Sequence, residues 1–417
     1  MLAGTAIRAA QIMRLNKEYH QHHSLKDQEI RRRTFWACAI IDKLLAYVLT
    51  KPVTIPSINI SIALPSTDLS LAYQEATRGL TLDTIDSFPG YPSEIGLTPY
   101  FIKTISLWSG MADLNACNWR FLDKFPPTSP ASQFFQRKLA LDNWVQSFPA
   151  SLTWTEDNYR VHCGHGQGVV FAAMHCLLRS GFCVANQCYL PQLDGSSMLL
   201  DALDTAGWSL LHREPAIISA CVSHAISLGK LLTSLVDIEV DTKFSFQSPW
   251  IAASVLSVAN TFLWMKYASD PEFTTEDLRA QATLYFDLVL SLFSSWTINW
   301  KAAREWYRML DAMHLVYRAA YLGEIGETTM DTAASVDGDI SAGFRPQPGD
   351  GYPDCLAIPN LYASLRLIAS DSTAKPKVLH HIWMRFASGW AQELVTDFTS
   401  GLGSNGLFNS SPPAQIT

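Results

Sequence analysis

Apolar or small residues return at Ile30, Thr34, Ala37, Ile41, Leu44 or Leu45, and Val48. Steps of three and four set them on one face of a 3.6-residue helix, and the same period governs most of the chain. Ser24, three residues before Asp27, fits a cap at the start of this helix, and Pro52 lies just beyond its end. Further helical stretches run over residues 98–122, 129–149, 165–185, 207–236, 248–269, 275–296 and 299–324. The segment from His165 to Ala185 is apolar nearly all round, as expected of a helix in the middle of a bundle. Strand signals are few, and no alternating run is bounded by hairpin dipeptides. These patterns predict an all-α chain, a large irregular bundle of roughly ten or more helices with Pro-rich connectors. One connector, TIPSINISIALPSTDL from Thr54 to Leu69, reads as extended backbone wrapped over a surface, because its prolines remove donors and fix φ.

With 417 residues, 48% of them hydrophobic, the chain can bury a sizeable core. Asp and Glu outnumber Lys and Arg 38 to 31, which argues against the whole chain being a general nucleic-acid binder. The eight cysteines, at 38, 117, 163, 176, 183, 188, 221 and 355, are scattered through apolar segments and predict reduced, buried thiols of an intracellular protein. Arg8 and Arg14 interrupt the first 15 residues at helical spacing, so no signal peptide is read there. The apolar run Ile251 to Trp264 contains Ser254, Ser257, Asn260 and Thr261. It is too short and too polar for a bilayer span and fits a buried helix of a soluble protein.

Arg31, Arg32 and Arg33 stand directly before this first apolar helix face. On a helix they fan over most of a turn and cannot all face one partner. After Arg33 the next basic residue is Lys43, so no continuous basic face exists for reading DNA. The expectation is that two of the three are solvated while one bridges to a nearby carboxylate or helix C-terminus.

The run EIRRRTFWACAIIDKLLAYVLTKPVTIPSINISIALP, Glu29 to Pro65, resembles the middle regulatory domain of fungal binuclear zinc-cluster transcription factors, also labelled xylanolytic-activator type. Arg31, Arg32, Arg33, Phe35, Trp36, Asp42, Pro52, Ile60, Leu64 and Pro65 stand at the family's positions. Thr50 and Lys51 replace its glycine and arginine at the turn. The sharp resemblance covers residues 3–68. Beyond it, the likeness is of kind: tryptophan-rich helices, and Ser248 and Pro249 before a long apolar helix. The resemblance implies a non-catalytic regulatory domain of a nuclear factor acting on RNA polymerase II transcription. It implies transcriptional co-regulators as partners, room for a small-molecule effector and for homodimerisation, and no membrane. Family members read DNA through an N-terminal six-cysteine cluster holding two zinc ions, yet no C-x-x-C occurs here. DNA and zinc are therefore expected only through that N-terminal domain: it either lies upstream of this chain or is absent from the gene product. In the second case the chain would be a stand-alone helical adaptor.

Other chemistry is weakly signalled. His162, Cys163, His165, His175 and Cys176 form the densest set of metal-ligand types, but His175 and Cys176 are helix neighbours pointing about 100° apart. The glycines of GHGQG lack a P-loop lysine and a preceding strand, and adjacent His380 and His381 read as partly exposed helix residues. No motif pairs a nucleophile with an oriented base, so neither catalytic nor metal-binding residues are expected. Trp250, Trp264, Trp296, Trp300 and Trp306 fall on predicted helices and are expected to fill core, with an effector pocket beside some of them as the alternative. Residues 1–325 are expected to form the regulatory domain. They are followed by an acidic disordered loop at 326–354, helices at 355–398 packing on the same domain, and a disordered tail at 399–417.

Overall fold

The computed structural model describes residues 2–19, 23–49, 52–57, 60–75, 79–88, 92–116, 123–191, 193, 214–242 and 245–322. Thr50, Lys51, Cys117, Cys355, His380 and His381, the acidic loop, the 355–398 helices and the tail lie outside the described residues. Twelve α-helices and no strand occur among the described residues, as the all-α reading expects. They are α1 (Leu2–Ile12), α2 (Leu25–Leu49), α3 (Asp68–Tyr73), α4 (Pro92–Ile95), α5 (Leu97–Ala116) and α6 (Gln133–Gln146). The second half holds α7 (Glu156–Gly164), α8 (Gly168–Gln187), α9 (Pro215–Thr242), α10 (Pro249–Tyr267), α11 (Glu276–Trp296) and α12 (Lys301–Tyr321).

Local chemistry sets the helix starts. Ser24 Oγ accepts from the Asp27 backbone N–H at 3.1 Å and donates to the Asp27 carboxylate at 2.7 Å, which caps α2 as its sequence predicts. Thr155 and Thr275 accept from the third helical N–H of α7 and α11, and each is followed by two acidic residues that complement the helix dipole. Ser248 accepts from Trp250 N–H, and Pro249 occupies the first turn of α10.

Helix α8 packs against α5, α6, α7, α9 and α10, and α10 packs in turn against α9, α11 and α12. This central pair explains the all-round apolar stretches: almost every residue of α8 and of α10 is buried. Helices α8 and α9 have the length and composition of a bilayer span, yet α8 is enclosed by its neighbours. Ser254 bonds Trp250 O within α10, whereas Ser257, Asn260 and Thr261 bond to other helices. Gln187 Nε2 donates to Ser257 O at 2.7 Å and to Thr261 Oγ1 at 2.9 Å. Tyr317 donates to Asn260 Oδ1 at 2.6 Å, and the Tyr47 and Ser257 hydroxyls bond each other. These contacts fix how α2, α8 and α12 sit on α10, since leaving such groups unpaired in the core would cost about 1–3 kcal/mol each. One contiguous core runs from Ile7 of α1 to Tyr317 of α12.

Two sequence readings change. The helix expected from His165 starts later: Val161–Gly164 ends α7, and α8 begins at Gly168 after a three-residue turn. Gly166, at φ +71°, supplies the left-handed residue that this turn needs. The connector, too, is less superficial than expected, for Ile55, Ile62, Ala63, Leu64 and Pro65 are all buried.

Candidate functional site

Most of the residues that carry the resemblance lie in a clamp between α2 and the connector, while Arg31 holds the end of α1 and Pro52 is exposed. An extended segment without strand partners must satisfy its buried backbone groups by other means. Here α2 and the α1–α2 loop supply them. Trp36 Nε1 donates to Ala63 O at 2.8 Å, and Ala63 N donates to Glu18 Oε1 at 3.0 Å. Ser66 N donates to Glu29 Oε1 at 2.8 Å, and Arg33 donates back to Ser66 O at 3.0 Å. Buried Asp42 accepts from Thr54 N and Ile55 N at 2.8 and 2.7 Å and so fixes the chain reversal after α2. Phe35 and Trp36 are buried in edge-to-face contact with ring centroids 5.4 Å apart. Pro65 is buried with the connector, whereas Pro52 is exposed just past the end of α2.

The arginines correct the expectation that two of them are solvated. Arg32 is only 3% exposed and bonds Glu18 at 2.6 Å and Glu29 at 3.4 Å. Arg33 bonds Glu29 at 2.9 Å and Asp68 at 2.6 Å. Burial works against the Arg33 charge, but hydrogen bonds to Asp68 and Glu29 outweigh it and raise its pKa. Half-buried Arg31 donates to the carbonyls of Met13 and Arg14 at the end of α1 and lies 5.4 Å from the centroid of the Tyr19 ring. Each arginine therefore holds a different segment against α2: the end of α1, the 15–19 loop, and the connector entering α3. The reason is that both neighbouring segments fold back onto the first half of α2. Glu29 was legible as the i−3 and i−4 partner of Arg32 and Arg33, whereas Glu18 carries no local signal.

Deeper in the bundle the candidate metal-ligand residues point apart. His162 Nε2 lies 3.3 Å from Ser151 O, and its ring stacks on Phe171. His175 Nε2 lies 2.9 Å from Leu152 O, while Arg179 reaches its other ring nitrogen at 3.4 Å. Burial and the Arg179 charge push the His175 pKa down to about 3, so the ring is neutral. Burial raises the Cys163 thiol and pushes Cys176 up to about 12. No cluster of three metal-ligating groups occurs among the described residues. The six described cysteines do not fit a binuclear zinc cluster: all are buried, and the close pair Cys183 and Cys221, 3.7 Å apart, shares Thr261 as neighbour.

Trp250, Trp264, Trp296, Trp300 and Trp306 are all buried. An open groove of about 740 Å³ runs along α9 past Ser219, Ser223, Ile226 and Lys230 to Glu272 and Phe273, and none of these tryptophans lines it.

Residues 1–146, which end with the last residue of α6, match the model of the fungal specific transcription factor domain. The Zn(2)-C6 fungal-type transcription factor FTF1c of Fusarium oxysporum f. sp. lycopersici is 25% identical over 197 residues, 43% of this chain and 21% of that protein. An uncharacterized transcriptional regulatory protein of Schizosaccharomyces pombe is 21% identical over 297 residues, 64% of this chain and 42% of the relative. This chain thus spans about a fifth of the first relative and under half of the second. No solved structure matches. Residues 1–146, about a third of this chain, are therefore similar to the fungal specific transcription factor domain.

Proposed function

We propose that this chain is the non-catalytic regulatory part of a nuclear factor that controls RNA polymerase II transcription. DNA would be read by a zinc cluster carried outside these residues. The observation that carries the reading is the inward use of Arg31, Arg32 and Arg33 within the matched region. A basic triplet consumed by Glu18, Glu29, Asp68 and backbone carbonyls has little charge left for phosphates, whose binding grows with the number of free cations. The domain then acts through contacts with transcriptional co-regulators, with a second copy of itself, or with a small effector that favours one packing of its helices over another. Arg31, Arg32, Arg33, Phe35, Trp36, Asp42, Pro52 and Pro65 serve this role by holding the connector and α1 in place.

Two measurements test the reading together. The purified chain should show no appreciable binding to random-sequence duplex at low or physiological salt. Fused to an unrelated DNA-binding domain in a fungal host, it should change reporter transcription from the cognate site. Salt-sensitive duplex binding that vanishes on Arg31→Ala in a folded protein would overturn the first half of the proposal. A fusion that is expressed and nuclear yet leaves the reporter unchanged would overturn the second.

A further inference from the structure

The elbow joining α1 to α2 carries a surface that the clamp does not use. Arg14, Lys17 and Lys26 are exposed, and none has a carboxylate partner among the described residues. The acidic residues of the elbow are committed elsewhere: Glu18 and Glu29 face Arg32 and Arg33, and Asp27 bonds Ser24. Arg31 pins Met13 and Arg14 beside the first turns of α2, which brings these cations next to exposed apolar side chains. Ile12 is 71% and Met13 60% exposed, and Leu25 and Ile30 are exposed as well. In a chain of net charge −7 this is a cationic patch with apolar residues set among the charges.

We propose that this elbow docks the chain's own acidic segment, residues 326–354. The charge complementarity is direct: the segment holds Glu327, Asp331, Asp337, Asp339, Asp350 and Asp354 against the single Arg345. It also carries spaced apolar residues, Met330, Ile340 and Phe344, as partners for Ile12, Met13 and Ile30. Phosphates would neutralise the cations but leave those apolar side chains in water, so the mixed surface favours an acidic peptide over nucleic acid. The 17 residues that follow Leu322, up to Asp339, can extend roughly 55 Å, which is of the order of the diameter of a compact body of this size. A compact body of this size has a radius of gyration of about 20 Å. Docking would withhold the acidic segment from other partners and would weaken as salt screens the charges.

Zero-length carbodiimide cross-linking of the full chain tests this, because it joins amines to carboxylates already in contact. The Lys103–Asp86 and Lys138–Asp142 pairs, at 3.0 and 2.7 Å, serve as internal controls. Peptide mapping should find Lys17 or Lys26 joined to Glu327, Asp331, Asp337 or Asp339. The yield should fall several-fold between about 0.01 and about 1 M salt, where the Debye length drops from roughly 30 to roughly 3 Å. Arg14→Glu keeps both reacting amines and should reduce the elbow cross-links several-fold while leaving the controls unchanged. The double variant Asp337→Asn and Asp339→Asn should act likewise without touching the folded body. Control cross-links without any from the elbow to 326–354 would overturn the proposal. So would elbow cross-links that, in a mixture of isotopically light and heavy chains, form only between copies.

Discussion

Replacing Arg32 by methionine tests the clamp most directly, because the stem is kept and only the cation is lost. Arg32 and Glu29 are 3% and 2% exposed, and Glu18 is largely covered. The variant would leave Glu29 with Arg33 and the Ser66 N–H, and would take the Arg32 cation away from Glu18, which keeps the Ala63 N–H. Removing one partner of a buried ion pair costs about 3–5 kcal/mol, because the orphaned charge stays desolvated. Arg31→Met removes bonds from a half-exposed guanidinium to carbonyls that water can reach, and its expected cost is below about 1 kcal/mol. Urea unfolding followed by tryptophan fluorescence reads both, with a much lower midpoint for Arg32→Met at an unchanged slope. Equal costs for the two variants, or an Arg32→Met cost under about 0.5 kcal/mol, would refute the assignment of the triplet to structure.

Three further outcomes follow from the geometry. His175 has its folded pKa depressed to about 3 against an ordinary 6.5, so only the unfolded chain takes up the proton as pH falls below 6.5. Its contribution is complete above that value and shrinks towards pH 3: about 2 kcal/mol should be lost between pH 7 and pH 5, and His175→Phe should flatten that slope in chemical denaturation. A Cβ at Gly229 would stand 2.4 Å from the Tyr285 ring where α9 meets α11. Gly229→Ala should lower stability by about 1–3 kcal/mol, and adding Tyr285→Leu should restore part of the loss in a thermal melt. Asp42→Ala strands the Thr54 and Ile55 N–H groups and should cost about 1–3 kcal/mol, whereas Asp42→Asn keeps an acceptor oxygen and should cost less. Amide exchange at Ile55 should rise in the alanine variant first.

What the sequence disclosed was what nearest neighbours encode. The period of α2, the Ser24–Asp27 cap and the Ser248–Pro249 start of α10 are each written within a few residues, and each is present. The polar residues of α10 were legible as an argument against a bilayer span but not as contacts, because their partners are remote. Ser257 meets Tyr47 across 210 positions, and Asn260 meets Tyr317 across 57. Periodicity reports which face is buried, not what it is buried against. The α7–α8 junction was misread for a related reason. In VHCGHGQG the glycines are common to a helix start and a turn, and only the positive φ of Gly166 separates the two.

The same limit explains why a basic triplet is ambiguous in sequence and plain in the fold. Arg31, Arg32 and Arg33 differ by about 100° steps around α2, a spread that weakens any common phosphate-binding face. That spread suits a helix which must hold three segments arriving from different sides. The connector makes the arrangement necessary: with no strand beside it among the described residues, its Ile55, Ala63 and Ser66 backbone groups depend on side chains of Asp42, Trp36, Glu18, Glu29 and Arg33. Each group left unpaired in the buried parts of that path would cost about 1–3 kcal/mol, so apolar substitutes of equal volume cannot take over the task. A sequence that alternates Arg and Glu with Phe-Trp and then Asp, ahead of a Pro-bounded extended run, therefore encodes the seating of that run. The charges a DNA-binding reading would assign to the outside are the ones this fold requires within.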